Sequence, residues 1–287
     1  MGLMLFTYIA FFLGILGIIY RFYRFYRLPI NIRWEVYPVP HEPGEKKKYG
    51  GSYMEELGWY EKRLEKDLLG EWLEPLKEIF FLERVKVYNR YGLWLWSLGL
   101  HWGLWLMFLF IGLLLINTKF TLPLGFIKLV GFLGYGIGSI GVLGLFFKRL
   151  FNPSLKLYTS PIDRINLLLL LALFLTGFLM VFTDGGLKVA LSYFKAIVTF
   201  NPEEVNVKGW IFWHFLIFNI FILYLPFSKF FHGPAKYLTY HKILWDDAPQ
   251  TKGSKIERLI QKQLNYQVGW AASHIKPEKN WVENAQN

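Results

Sequence analysis

The chain has 287 residues, is 54% hydrophobic and 20% aromatic, carries a formal net charge of +11 and contains no cysteine. That apolar weight places it among membrane proteins. The missing thiols exclude disulfides, thiolate catalysis, cysteine-bound zinc and an iron–sulfur cluster of its own. No nucleic-acid-binding signature accompanies the surplus of lysine and arginine, so the charge is read as that which gathers on the cytoplasmic side of a membrane protein.

Five stretches are long and apolar enough to cross a bilayer, at about 2–20, 91–116, 122–147, 165–183 and 209–230. The first has neither a basic leader nor a small-residue cleavage site, and Arg21, Arg24 and Arg27 follow it directly, so it reads as an uncleaved anchor. Arg33, Arg84, Lys86 and Arg90 continue the basic flank of the first connection. Lys148, Arg149, Lys156 and Arg164 fill the third, and Lys229, Lys236 and Lys242 follow the last span. On the other side Lys119, Lys188, Lys195 and Lys208 are diluted by Asp184, Glu203 and Glu204. This bias predicts the N-terminus outside and the C-terminus in the cytoplasm. The expected fold is an all-α integral membrane protein of five transmembrane helices. A membrane domain covers 1–231, with a cytoplasmic insertion at 21–90, and a cytoplasmic tail covers 232–287.

Within the insertion, LLGEWLEPLKEIFFLERVKVY puts Trp72, Leu73, Leu76, Ile79, Phe80 and Val87 mostly on one helical face, as an interfacial or docking helix requires. The third span is rich in glycine, with Gly131, Gly134, Gly136, Gly138, Gly141 and Gly144. Two readings stay open for these: close helix packing through small residues, or room for a porphyrin against the backbone. The tail is too long and too aromatic for a solvated extension and is read as a docking surface for a soluble partner.

The histidines carry the chemistry. The last apolar run, GWIFWHFLIFNIFILYLPFSKFFH, has His214 near its start and His232 at its end. Taken as one helix, it places them about five turns and about 27 Å apart on the same face. His101 lies inside the second span. With the predicted orientation, His101 is about 15 Å and His214 about 21 Å from the inner surface, an offset that helix tilt absorbs. Intramembrane histidines are costly unless they function. Imidazoles facing each other from two spans are what an axially bound haem needs. His101 and His214 are therefore the predicted ligand pair of one haem b, with the five helices bundled around it. His232, at the inner edge, is a candidate ligand for a second haem or a partner for a carboxylate or propionate. No histidine stands opposite it, since Asn89, Arg90 and Tyr91 occupy that region. His41 and His241 are cytoplasmic and stay open as partners able to fold back to it, and His274 reads as a surface residue.

These residues resemble a family. Five spans and the spacing of His214 and His232 are similar to the gamma-subunit cytochrome b of respiratory nitrate reductase. RWEVYPVPHEPGEKKKYGGSYMEELGWYEK (Arg33 to Lys62), YLPFSKFFHGPAKYLTYHKILWDDAP (Tyr224 to Pro249) and SPIDRINLLLLLALFLTG resemble more closely the haem b membrane subunits of sulfate-reducer and heterodisulfide-reductase-like complexes. The resemblance implies a subunit of a prokaryotic cytoplasmic (inner) membrane complex. It would pass electrons between menaquinone or menaquinol and a cytoplasmic iron–sulfur subunit. It also implies that His101 and His214 hold the outer haem and His232 the inner one. Tyr91 stands where the nitrate reductase pattern has a fourth histidine, which leaves the sixth ligand of an inner haem open. Lys119 and Lys128, near the outer ends of the second and third spans, are candidates to hold quinone carbonyls, against the plainer role of snorkelling to headgroups. Two other classes stay open: a haem-free membrane anchor, and a proton or ion transporter with a histidine relay. The internal repeats and broken helices usual in transporters are not evident.

Overall fold

The structure, a computed structural model, describes residues 1–27, 57–61, 67–201, 205–239 and 252–286. Among these every regular element is helical, and β pairing is limited to the isolated bridges Gln267–Asn280 and Ala272–Ile275. The helices are α1 (Gly2–Arg27), α2 (Leu68–Phe81), α3 (Glu83–Val87), α4 (Trp94–Asn117), α5 (Leu124–Phe151), α6 (Pro153–Leu157), α7 (Pro161–Phe182), α8 (Gly186–Thr199), α9 (Gly209–Tyr224), α10 (His232–Thr239), α11 (Lys255–Leu264) and α12 (Trp281–Ala285). Four of them, α1, α4, α5 and α7, together with Gly209–Phe227, are long and apolar enough to cross a membrane, matching the five expected spans.

Local chemistry sets the boundaries. Ser160 and Asp163 form a reciprocal capping box at the start of α7, with Pro161 in the first turn. Asn152 caps α6 ahead of Pro153. Lys148 and Arg149 sit in the last turn of α5, where the helix dipole favours cations. The amphipathic segment from Leu68 to Val87 is two helices rather than one. It breaks at Leu82, which is buried and takes a left-handed backbone (φ 50°), and the Glu78 carboxylate accepts the Arg84 N–H beyond the break. Trp72, Leu73 and Leu76 keep exposed apolar faces. The last carbonyls of α2 are claimed by α4: Trp102 and Trp94 donate their indole N–H groups to Phe80 and Phe81 at 3.0 and 2.8 Å.

The chain divides into two compact units. The first joins Met1–Gly17 to Leu76–Ser228. Here α4 lies against α5, α5 against α7 and α7 against α9, while α8 touches α4, α7 and α9. Glycine makes the α4–α5 contact close. A Cβ at Gly131 would meet the Phe110 ring at 2.7 Å, and one at Gly134 would meet Leu106 at 2.9 Å. At Gly103 it would run into the backbone of Gly138, at Gly141 into that of Leu100, and at Gly144 into the Trp96 ring. Of the two readings of the glycine-rich span, five of its six glycines thus have their Cβ positions taken by protein atoms closer than van der Waals contact. That is packing, and Gly136 alone has ordinary clearance, to Phe178.

The second unit joins Ile18–Pro75 to Lys229–Asn287. Phe22 and Phe25 pack on the buried ring of Phe231, and the Arg21 guanidinium lies over Phe25 and Phe231 at 5.2 and 5.5 Å. Lys255 lies over Tyr26, which ties α11 to the end of α1. The tail folds back on itself. The buried Asn284 side chain donates to the carbonyls of Lys276, Lys279 and Asn280 and accepts the Lys276 N–H.

One expectation is corrected. His214 and His232 do not share a face of a continuous helix. α9 ends at Tyr224 and a 3-10 turn spans Leu225–Phe227. Ser228 is extended (ψ 177°), a second 3-10 turn covers Lys229–Phe231, and His232 begins α10. Pro226 is the cause, because it lacks an N–H and its ring clashes with the carbonyl one turn back.

The seam makes a stability prediction. Gly103→Val should destabilise the protein by at least the ~1–3 kcal/mol of an overpacked core, because the new methyl groups meet backbone that cannot rotate away. Gly112→Ala, in the same helix with nothing within 4 Å of its Cβ position, should not lower stability. Thermal unfolding in detergent checks both.

Candidate functional site

The most buried histidine is His214, at 2% exposure in the middle of α9. Three helices hold it. Thr176 of α7 donates its hydroxyl proton to the Ala172 carbonyl at 2.7 Å, so its oxygen is left to accept from His214 Nδ1 at 3.3 Å. With Nδ1 as the protonated nitrogen, Nε2 carries the lone pair. Tyr135 of α5, buried and with its ring seated where a Cβ on Gly177 would be, donates its hydroxyl to that Nε2 at 3.0 Å. The tyrosine and imidazole rings meet edge to face at 5.1 Å.

His101 and His232 repeat half of this arrangement. His101 Nδ1 lies 2.7 Å from the Ser97 carbonyl, one turn back in α4, and His232 Nδ1 lies 2.8 Å from the Lys229 carbonyl. A backbone carbonyl can only accept, so in all three histidines Nδ1 is the N–H and Nε2 the basic nitrogen. His101 is half-buried and His232 exposed. The helices bearing His101 and His214 both lie against α5 or its neighbours rather than forming a tight pair with each other. His274 is exposed, in the turn closed by Ala272 and Ile275. His41 and His241 lie outside the described residues. Tyr91 is half-buried, with the Arg90 guanidinium over its ring.

A second polar cluster, which the sequence did not single out, lies one turn further along α9. Asn219 donates its amide to Thr7 Oγ1 at 2.8 Å, Thr7 Oγ1 and the Tyr193 hydroxyl are 2.6 Å apart, and Thr7 also donates to the Leu3 carbonyl. Burial pushes the Tyr193 phenol up to about 12 against the opposing Thr7 hydrogen bond, so it stays protonated at any physiological pH. Its ring stacks on Phe215 at 4.2 Å, and Phe215 touches His214 at 5.7 Å. A third link, from the Tyr224 hydroxyl to Asn166 Oδ1 at 2.9 Å, ties α9 to α7. Thr176, Thr7, Asn219 and Tyr135 are polar residues inside apolar runs, and that placement was the available signal.

Two cavities of about 560 Å³ flank the helices. One is lined by α4, α5 and Asn152, including Trp96, Phe147 and Lys148. The other lies among the first turns of α1, α8 and the start of α9, with Tyr193 and Asn206 in its wall. Lys119 and Lys128 are exposed and line neither. Among the described residues no group of three or more His, Cys, Asp or Glu side chains is arranged to hold a bare metal ion. Haem asks for less: the porphyrin supplies four nitrogens, and the protein one or two axial donors. The donor set fits that demand, since each histidine presents Nε2 in the ligating tautomer. At His214 the Tyr135 hydroxyl must yield that nitrogen.

The model of the nitrate reductase gamma subunit family matches residues 85–246. The chain is 31% identical over 111 residues to the nitrate reductase gamma chain of Bacillus subtilis, covering 34% of this chain and 50% of that one. It is 25% identical over 169 residues to the Hdr-like menaquinol oxidoreductase cytochrome b-like subunit of Archaeoglobus fulgidus, covering 54% and 51%. The chain thus spans about half the length of the curated relatives it matches. No solved structure matches it.

The anchoring of His214 predicts that Thr176→Val, which keeps shape but removes the hydroxyl that accepts from Nδ1–H, costs about 0.5–1.5 kcal/mol. Thr176→Ser should recover most of it. Denaturant unfolding of the purified chain measures both.

Proposed function

Because the chain belongs to the nitrate reductase gamma subunit family, we propose that it is a haem b membrane subunit carrying electrons between a menaquinone-type quinone pool and an iron–sulfur partner on the cytoplasmic side. The observation that carries this reading is the pair His101 and His214, on two membrane-length helices, whose Nδ1 groups are tied to acceptors, leaving Nε2 as the basic nitrogen. A second Nδ1 acceptor is how proteins orient metal-bound imidazoles. The printed name of the Archaeoglobus relative describes a cytochrome b-like subunit of a menaquinol oxidoreductase, which supports electron transfer as the task.

In this reading His101 and His214 would hold one haem b through Nε2, with the Ser97 carbonyl and the Thr176 hydroxyl orienting their Nδ1 groups. Tyr135, which donates to His214 Nε2, would have to release that nitrogen. The group would supply a one-electron relay. Oxidation of one quinol to quinone releases two protons and two electrons, and the electrons pass inward singly. His232 is the proposed ligand of a second haem. Arg21, whose Nε is buried and without a hydrogen-bond partner among the described residues, lies over the ring of Phe231, the residue before His232, and its guanidinium would suit a propionate carboxylate. The charge bias supports the N-terminus outside, and the tail from His232 onward, together with α2, is the proposed docking surface for the partner. Lys119 and Lys128 remain at the outer ends of α4 and α5 as groups able to steer a quinone headgroup.

The visible spectrum tests this reading. The purified chain, supplied with haem, should show a b-type α band. His101→Ala and His214→Ala should each abolish the low-spin bis-histidine signal, while Tyr135→Phe should keep it. A colourless protein favours the haem-free anchor or the histidine relay. An undiminished bis-histidine signal in either alanine variant shows that the ligand pair is wrong.

A further inference from the structure

The cavity between α4 and α5 contains none of the histidines and has a chemistry of its own. Its volume is about 560 Å³, inside the range of about 300–1,000 Å³ typical of small-molecule sites. Ile140, Leu143, Gly144, Phe147, Lys148 and Phe151 follow helical spacing and form one stripe along α5. Trp96 of α4 walls the other side, its ring resting where a Cβ on Gly144 would be, so the missing side chain shapes the slot. Ile140, Phe147 and Phe151 are exposed on a helix long enough to cross a membrane, so the slot opens sideways to acyl chains. From Ile140 to Phe151 the stripe rises about 17 Å, close to the ~15 Å of hydrocarbon in one leaflet.

The polar groups gather at one end, and those left unpaired are donors. Lys148, in the last turn of α5, has no hydrogen bond or ion pair to its ammonium among the described residues. It reaches toward the turn before α4, where a Cβ on Gly92 would lie 3.4 Å from Nζ. Asn152 Oδ1 already accepts the Leu155 N–H, which leaves its amide nitrogen to donate. The Trp96 indole N–H has no hydrogen-bond partner among the described residues. No carboxylate lines the cavity. An ammonium, an amide and an indole N–H at the end of an apolar slot fit an oxyanion that carries an alkyl chain. Basic pockets between membrane helices take anionic lipid headgroups in this way.

We propose that the α4–α5 cavity binds one anionic phospholipid, its phosphate on Lys148 and Asn152 and one acyl chain along the α5 stripe. The site does not depend on the haem assignment. Lying against Trp96, the lipid braces the seam between the two helices, so the occupied protein resists unfolding better than the empty one.

The test titrates the full chain in detergent with phosphatidylglycerol or phosphatidylcholine of matched acyl chains. Native mass spectrometry counts bound lipid, and thermal unfolding reads stability. One phosphatidylglycerol per chain should bind about fivefold more tightly than phosphatidylcholine and raise the unfolding temperature, whereas inorganic phosphate should not. Lys148→Gln should remove most of that preference. Lys156→Gln, at an exposed lysine outside the cavity, should leave it intact. Ile140→Trp, at an exposed position where folding is not at stake, should fill the slot and weaken binding of both lipids. Equal binding of the two lipids, stabilisation by inorganic phosphate alone, or an undiminished preference in Lys148→Gln overturns the assignment. So does an equal loss in Lys148→Gln and Lys156→Gln, which would mean diffuse charge rather than a site. A dimer that Ile140→Trp dissociates and phosphatidylglycerol leaves unchanged also overturns it, in favour of a second copy of the chain on this stripe.

Discussion

A polar side chain inside a bilayer must find its partners within the protein, because neither lipid nor water will supply them. Three buried clusters follow from that constraint, and α9 takes part in all of them. His214 is held between Thr176 of α7 and Tyr135 of α5. Asn219 reaches Thr7 of α1 and, through it, Tyr193 of α8. Tyr224 closes onto Asn166 of α7. The last span is therefore registered against four other helices by directional bonds, whereas α4 and α5 meet by close packing along their glycine seam. A rigid α9 is what an imidazole needs if it is to keep one orientation toward a metal.

Much of this architecture was legible in the sequence, since five membrane-length runs depend only on composition and length. Helix α8 was not. At 14 residues it is too short to span, and Lys188 and Lys195 dilute its hydropathy, yet Leu187, Ala190, Tyr193 and Phe194 bury one face. The break after Tyr224 was visible as Pro226, but the apolar run on both sides of it hid the end of the helix. Glycine content announced close approach in α5 without saying against what. Only the neighbours, with Gly103 and Leu100 across the seam, decide that the space belongs to α4.

The histidines of the proposed site were legible in the sequence, and the groups that hold them were not. A histidine inside an apolar span is conspicuous. Thr176, in the run ALFLTGFLM, and Tyr135, between two glycines, read as tolerated polar residues until they converge on the same imidazole. Convergence of α5, α7 and α9 is a tertiary fact that no spacing encodes. The same holds for the wall of the α4–α5 cavity, where Trp96 and Lys148 come from segments with no distinguishing motif. His232 differs from the other two. It lies beyond the Pro226 break and is exposed, next in sequence to Phe231, whose buried ring Arg21 covers.

Pyridine haemochrome quantification on the purified chain, expressed with ample haem supply, decides whether these imidazoles hold iron porphyrin as proposed. One haem b per chain is expected from His101 and His214, rising to two if His232 also ligates. A folded chain with no haem would overturn the proposal.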